Sequence, residues 1–281
     1  MTLTIGFSTC PNDTFIFDAL VNGEIDTGGI TWQPVLEDVQ TLNEWALEGK
    51  LDVTKISYGA LPGLLKTYTV LPTGGALGAG VGPLLIGSEP PPANADFFEQ
   101  ALLVQRQNIA IPGQHTTAHF LFSHAYPNAA NKLFMRFDAI ESFVQKGEGL
   151  GVIIHENRFT YQAKGLFAWA DLGKLWENQT ALPIPLGGIV AKRSLPFSLL
   201  QQINLQIKRS LLHAWQHYPI LSNYVKLHAA EIAEPVMRQH IELYVNDFSA
   251  DMESTGRAAI MSLLKTLNPQ EIFEENDVFM Q

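Results

Sequence analysis

The histidine best placed for chemistry is His155, which ends the apolar run LGVII (150–154) and precedes Glu156, Asn157 and Arg158. Imidazole ionises near ~6.5, so a histidine closing a buried strand is suited to accept a proton at neutral pH. A structural, hydrogen-bonded histidine would fit the same position. Hydroxyls also stand where strands give way to helices, at Ser8-Thr9 before Pro11, Ser57 after Lys55, and Thr116-Thr117 after Gly113. A helix start presents unpaired N–H groups and partial positive charge, worth about 0.3–1 kcal/mol to an exposed anion. Ser and Thr also serve as N-caps wherever helices begin. Three such junctions converging on one place would suit an anionic or polyhydroxylated small molecule. Lys55 would add a charge-assisted contact, or else lie along the surface.

Other chemistries fit the residues less well. His115 and His119 are spaced i,i+4, as are His213 and His217, but HTTAH has threonine where a zincin motif needs glutamate, and His124 lies too far along to complete a site. No metal site is expected, and no cofactor. There is no G-x-S-x-G elbow for a serine nucleophile. The single cysteine, Cys10, cannot form an internal disulfide and reads as a small buried residue. The glycine-dense segment 73–87 leads into the strand-like VGPLLI instead of opening a helix, so it reads as an extended bend, not a phosphate loop.

These residues need elements to hold them. Leu3–Ser8, Ile30–Leu36 and Asp52–Ser57 read as strands, alternating with helices that start at Pro11, near Val39, and over 58–68. After a proline-rich loop at 88–96 the alternation restarts. Strands are expected at 108–112, 134–137 and 150–154, with helices opening at Thr116 and spanning 139–145. Residues 183–193 are extended. Leu199, Ile203, Ile207, Leu211 and Trp215 then form an i,i+4 stripe, and 230–245 and 254–267 carry helical patterns. The class is α/β, with mainly parallel sheets covered by helices. An early departure and a late return imply two lobes around a central cleft, with ligands at the carboxyl ends of strands. Lobe 1 is expected over 1–87 and 188–281, and lobe 2 over 88–187. Gly187 and Gly188 would be a hinge.

Composition narrows the partners. The 281 residues are 46% hydrophobic and only 16% charged, with a net charge of −10, which excludes intrinsic disorder and argues against nucleic-acid and membrane-surface binding. The longest uncharged stretch, 67–88, is interrupted by Pro72, Pro83 and six glycines, unlike a membrane-spanning helix. The opening MTLTIGFST reads as a strand without a basic or apolar leader, so a cytoplasmic location is expected.

Several blocks, in order along nearly the whole chain, resemble the 1,4-dihydroxy-6-naphthoate synthase family of the futalosine menaquinone pathway. They are FSTCPNDTFIFDAL (7–20), VLEDVQTLNEWALEGKLDVTKISYGAL (35–61), GGALGAGVGPLL (74–85), PGQHTTAHFL (112–121), IIHENRFTYQAKGL (153–166) and LPIPLGGIVAKR (182–193). VLEDVQTLN and IIHENRFTY are the most specific. Thr9 departs from the pattern, standing where the family commonly has proline.

The resemblance implies a two-lobed, periplasmic-binding-protein-like (type II) fold used as a cytoplasmic enzyme, for which no cofactor is expected. It would convert cyclic dehypoxanthinyl futalosine, a small carboxylate, to 1,4-dihydroxy-6-naphthoate with release of dihydroxyacetone. His155 falls on the proton acceptor, and Lys55, Ile56, Ser57, Thr116 and Thr117 on substrate contacts. Ser8 and Asn12, at the first strand-to-helix junction, complete the expected binding residues. Two alternatives share the architecture: a solute-binding protein without chemistry, and the related chorismate dehydratase of the same pathway.

Overall fold

The alternation of strand and helix signals resolves into two compact units in the computed structural model, which describes residues 1–229 and 232–280. One unit comprises Met1–Gly78 and Pro185–Gln281, the other Ala79–Ile184. In chain order the first unit opens with β1 (Thr2–Phe7), α1 (Pro11–Val21), β2 (Thr31–Leu36), α2 (Val39–Leu47) and β3 (Val53–Ser57). Pro11 suits the first turn of α1, where its missing N–H goes unneeded. Asp38 caps α2 by accepting from the Gln40 and Thr41 amides.

The expected helix over 58–68 is a 3₁₀ turn, Tyr58–Gly63, followed by β4 (Tyr68–Val70). Pro62 has no N–H and stops an α-helix from propagating. The glycine-dense segment then forms β5 (Ala76–Gly78) before the chain enters the second unit.

The second unit runs β6 (Leu84–Gly87), α3 (Phe97–Val104), β7 (Ile109–Ile111), α4 (Thr117–Ala125), β8 (Lys132–Phe134), α5 (Ile140–Gln145), β9 (Leu150–Ile153), α6 (Asn157–Thr160), β10 (Phe167–Asp171) and α7 (Leu172–Thr180). Its sheet order is β10-β6-β9-β7-β8, with β7 parallel to both neighbours and β6 antiparallel to β9 and β10. The sequence-based boundary at 87/88 is therefore too late, because Leu84–Gly87 is hydrogen-bonded inside this sheet. Gly82 lies against Gly173, where a Cβ would stand 2.3 Å from the Gly173 Cα, so the glycines here serve a close backbone approach. Leu84, Ile86, Ala110, Ile140, Val144 and Ile153 form this unit's core.

The chain returns through β11 (Ile184–Lys192) and finishes with α8 (Phe197–His217), α9 (Asn223–His228), α10 (Glu234–Tyr244), α11 (Asp247–Ala250), α12 (Glu253–Leu267) and α13 (Glu275–Val278). Residues 230 and 231, the start of the expected 230–245 helix, lie outside the described residues. The first unit's sheet order is β2-β1-β3-β11-β4, with β5 also on β11; β1 is parallel to β2 and β3, and β11 is antiparallel to β3 and β4. Helices α1 and α8 pack together on this sheet. Phe7, Phe15, Phe17 and Leu20 meet Ile203, Ile207 and Leu211 in the core. Polar links fix their register: the Ser210 hydroxyl donates to the Ile16 carbonyl at 2.6 Å and accepts from the Leu20 amide at 3.0 Å.

Gly187 and Gly188 pair with Ser57 and Ile56 in the β3–β11 ladder. Glycine is required there by space, since a Cβ on Gly188 would sit 2.1 Å from the buried Tyr58 hydroxyl. Asp52, just before β3, ties three strands. It accepts from the Thr4 amide (3.0 Å) and hydroxyl (2.9 Å), and pairs with Lys192 at 3.3 Å. Burial pushes its carboxyl up, but the Thr4 and Lys192 contacts together outweigh burial and hold it below the ordinary carboxylate value.

Two outcomes are expected. Gly188→Ala should lower unfolding stability by about 1–3 kcal/mol in urea titrations, as overpacking at a rigid site does. Because the Asp52 pKa is depressed on folding, its contribution is complete above the unfolded pKa and disappears as pH falls through the folded one. Asp52→Asn should therefore be less stable at neutral pH, and its stability should fall less steeply between about pH 5 and pH 2 in a denaturation series.

Candidate functional site

In each sheet the candidate residues lie at the carboxyl edge of a parallel pair. In the first unit, β1 and β3 are neighbours (Gly6 beside Thr54), so Ser8 and Ser57 leave the same edge. Here Asp13 is the hub. Its Oδ2 accepts from the Ser8 amide at 3.1 Å and hydroxyl at 2.7 Å; its Oδ1 accepts from the Asn12 amide nitrogen at 2.8 Å and from Lys55 Nζ at 2.6 Å. The Lys55 and Asp13 side chains are 7% and 2% exposed, which makes this a buried ion pair. The lysine does not lie along the surface, and its charge is balanced by a carboxylate.

Ser57 is held by a second buried residue, Asn43 of α2. The Ser57 amide donates to Asn43 Oδ1 at 2.8 Å, and Asn43 Nδ2 donates to the Ser57 hydroxyl at 3.1 Å. Ile56 is fully buried in β3. Neither serine's side chain caps a helix: α1 starts after Cys10 without a side-chain cap, and Ser57, at the N-cap position of the 3₁₀ turn, makes no side-chain cap hydrogen bond. Thr9 is exposed.

In the second unit, β7 and β9 are parallel neighbours (Ala110 beside Gly151), and α4 and His155 follow their carboxyl ends. Thr116 is a cap: its hydroxyl accepts from the His119 amide at 3.1 Å and donates to the Gly113 carbonyl at 2.9 Å. Thr117 opens α4 and is also buried. The half-buried His155 ring meets Phe137 edge-on at 5.1 Å. Its backbone lies in the left-handed region at φ 58°, a conformation uncommon for side-chain-bearing residues, though histidine adopts it more readily than most. The segment after it is anchored by Arg158, which donates to the Gly82 carbonyl and pairs with Asp171 at 3.1 Å. Glu156, beside His155, has one carboxylate oxygen buried with no hydrogen-bond partner among the described residues.

Sequence reasoning thus named residues that the structure groups by unit: Ser8, Asn12, Lys55, Ile56 and Ser57 in one, Thr116, Thr117 and His155 in the other. It missed Asp13 and Asn43. Each had a signal, an acidic residue in the first turn of a proline-started helix and a buried asparagine inside VLEDVQTLN.

The other histidines have local roles. His119 Nδ1–H donates to the Gln114 carbonyl at 2.8 Å; burial first, then Lys132 and His115, lower its pKa against that bond. His124 contacts Gln179 at 2.6 Å and His213 contacts Glu24 at 3.1 Å. Among the described residues no group of three or more His, Cys, Asp or Glu is arranged to hold a metal ion, and no helix is long and apolar enough to cross a membrane.

Comparison with known proteins places this arrangement. Two proteins named 1,4-dihydroxy-6-naphtoate synthase are similar: one from Thermus thermophilus, 44% identical over 93% of this chain and 92% of its own, and one from Streptomyces coelicolor, 41% identical over 94% and 92%. A crystal structure of an Archaeoglobus fulgidus protein matches with a TM-score of 0.86 at 26% identity, covering 96% of this chain and 97% of that one. The periplasmic aliphatic sulphonate binding protein of Escherichia coli matches at a TM-score of 0.65 and 14% identity, over 100% and 92% of the chains, and so shares the fold. The fold is periplasmic-binding-protein-like. The profile of the menaquinone biosynthesis family matches residues 3–268, and with these relatives it establishes that the chain belongs to that family.

Proposed function

We propose that the protein is a 1,4-dihydroxy-6-naphthoate synthase, a carbon–carbon lyase that converts cyclic dehypoxanthinyl futalosine to 1,4-dihydroxy-6-naphthoate and dihydroxyacetone. The observation that carries this reading is the 44% identity, over 93% of the chain, to a protein bearing that name. His155 is the proton acceptor. It removes a proton from the cyclic substrate, the bond to the three-carbon fragment breaks, and the ring system becomes aromatic. Support comes from its place after β9 on a segment anchored by Arg158, and from its left-handed backbone, a type of outlier that collects at functional sites. Ser8, Asn12, Lys55, Ile56, Ser57, Thr116 and Thr117 contact the substrate. The protein uses no cofactor and acts in the cytoplasm on a free small-molecule carboxylate, without nucleic acid or membrane.

The direct test is incubation of purified protein with the cyclic substrate and identification of products by mass spectrometry. Both products should appear. A ligand returned unaltered would identify a solute-binding protein, and product formed only from chorismate would identify the dehydratase. His155→Asn should lower turnover by about 10²–10⁴-fold, the scale of a lost general base. Asparagine tolerates the left-handed backbone, so the variant should unfold at the parental denaturant midpoint. Thr116→Ala/Thr117→Ala should raise KM more than it lowers kcat. Thr116→Asn, which keeps a capping oxygen but has no hydroxyl, separates hydroxyl contact from loss of helix stability, worth about 1 kcal/mol.

A further inference from the structure

The pairing of Lys55 with Asp13 sets what this edge of the first unit can recognise. Lys55 donates one N–H to Asp13, leaving two. Ser57 accepts from Asn43 through its hydroxyl oxygen, leaving its O–H able to donate. Asn12 turns its nitrogen to the Asp13 carboxylate, leaving its Oδ1 as an acceptor. The remaining groups are therefore a mixture of donors and acceptors. Asp13 and Lys55 are both more than nine-tenths buried, so water screens neither charge effectively and each largely cancels the other for any incoming group. A carboxylate only accepts, and would meet the Asn12 carbonyl and the Asp13 charge. An alcohol both donates and accepts, and carries no charge to be opposed.

We infer that Asp13 is a positioning residue. It balances Lys55 and orients Ser8 and Asn12, so that this edge binds the hydroxyl-bearing three-carbon portion of the substrate and not its aromatic carboxylate. The inference rests on the function proposed above and assigns to this cluster one fragment of that substrate.

The two products serve as probes, dihydroxyacetone for the polyol fragment and 1,4-dihydroxy-6-naphthoate for the carboxylate. Ligand-observed NMR would measure their affinities for the parent, Asp13→Asn and Asp13→Asn/Lys55→Met proteins, with circular dichroism as a check on folding. The double variant removes both charges and serves if the single one, left with a buried unbalanced ammonium, does not fold. In the double variant dihydroxyacetone should weaken by about tenfold or more, the loss expected for hydrogen bonds to charged groups, with naphthoate affinity nearly unchanged. Asp13→Asn, with the ammonium unopposed, should bind naphthoate more tightly and with a steeper salt dependence. Equal loss of both probes, or loss of naphthoate alone, in a folded double variant would overturn the inference. So would unchanged dihydroxyacetone affinity in a double variant of a protein that makes both products. A parent protein that makes neither product and binds neither probe would instead overturn the proposed function, and this inference with it.

Discussion

Parallel strands cannot be joined by a tight turn. Each must be followed by a crossover, and every crossover in a parallel run leaves from the same edge of the sheet. Both sheets contain such a run, β2-β1-β3 in one unit and β9-β7-β8 in the other. The constraint delivers Ser8, the start of α1 and Ser57 to one edge of the first sheet, and the start of α4 and His155 to one edge of the second. Residues nearly fifty positions apart become neighbours because the ladder offers them no other exit. The antiparallel members, β11 in one sheet and β6 with β10 in the other, close the opposite flanks without disturbing those edges.

On that frame the electrostatics are local and compensated. A lysine in the middle of a fully buried strand would be prohibitive alone. It is tolerated because the first turn of α1 supplies a carboxylate at 2.6 Å, and because that carboxylate has its other oxygen satisfied by Ser8. Breaking either partner would strand the other in low dielectric. The second unit uses a different device: an arginine that holds a carbonyl and a carboxylate together fixes the segment following His155.

Strong hydrophobic periodicity and cap residues made most of the fold legible. The β1-α1-β2-α2-β3 order, the stripe from Leu199 to Leu211 and the strand before His155 are all visible in the sequence. Helix α3 does not stand out in the sequence although Asp96 and Glu99 form a capping box at its start, because the prolines before it mask the signal. The segment after Ser57 failed for a different reason: its apolar spacing suggested a helix, but Pro62 outweighed periodicity. At the candidate site, the strand ends legible in the sequence are the carboxyl ends of parallel pairs. The partners of those residues were not legible, because Lys55 and Asp13 are 42 positions apart and only the β1–β3 pairing brings them together. The chemistry itself came from resemblance, since no spacing of hydroxyls and imidazole specifies a naphthoate.

The discontinuity of the first unit governs the order in which the protein is built on the ribosome. Its opening segment, Met1–Gly78, carries β1 and α1, but their core is completed by Ile203, Ile207 and Leu211, and Ser210 reaches back 194 residues to Ile16. The second unit, Ala79–Ile184, is contiguous and needs nothing downstream to finish its own sheet. Domains fold as units while the chain is still emerging. The inserted unit is thus free to consolidate first, while the apolar faces of β1 and α1 wait for α8 to be translated. During that interval they are the surface a nascent-chain chaperone would have to cover.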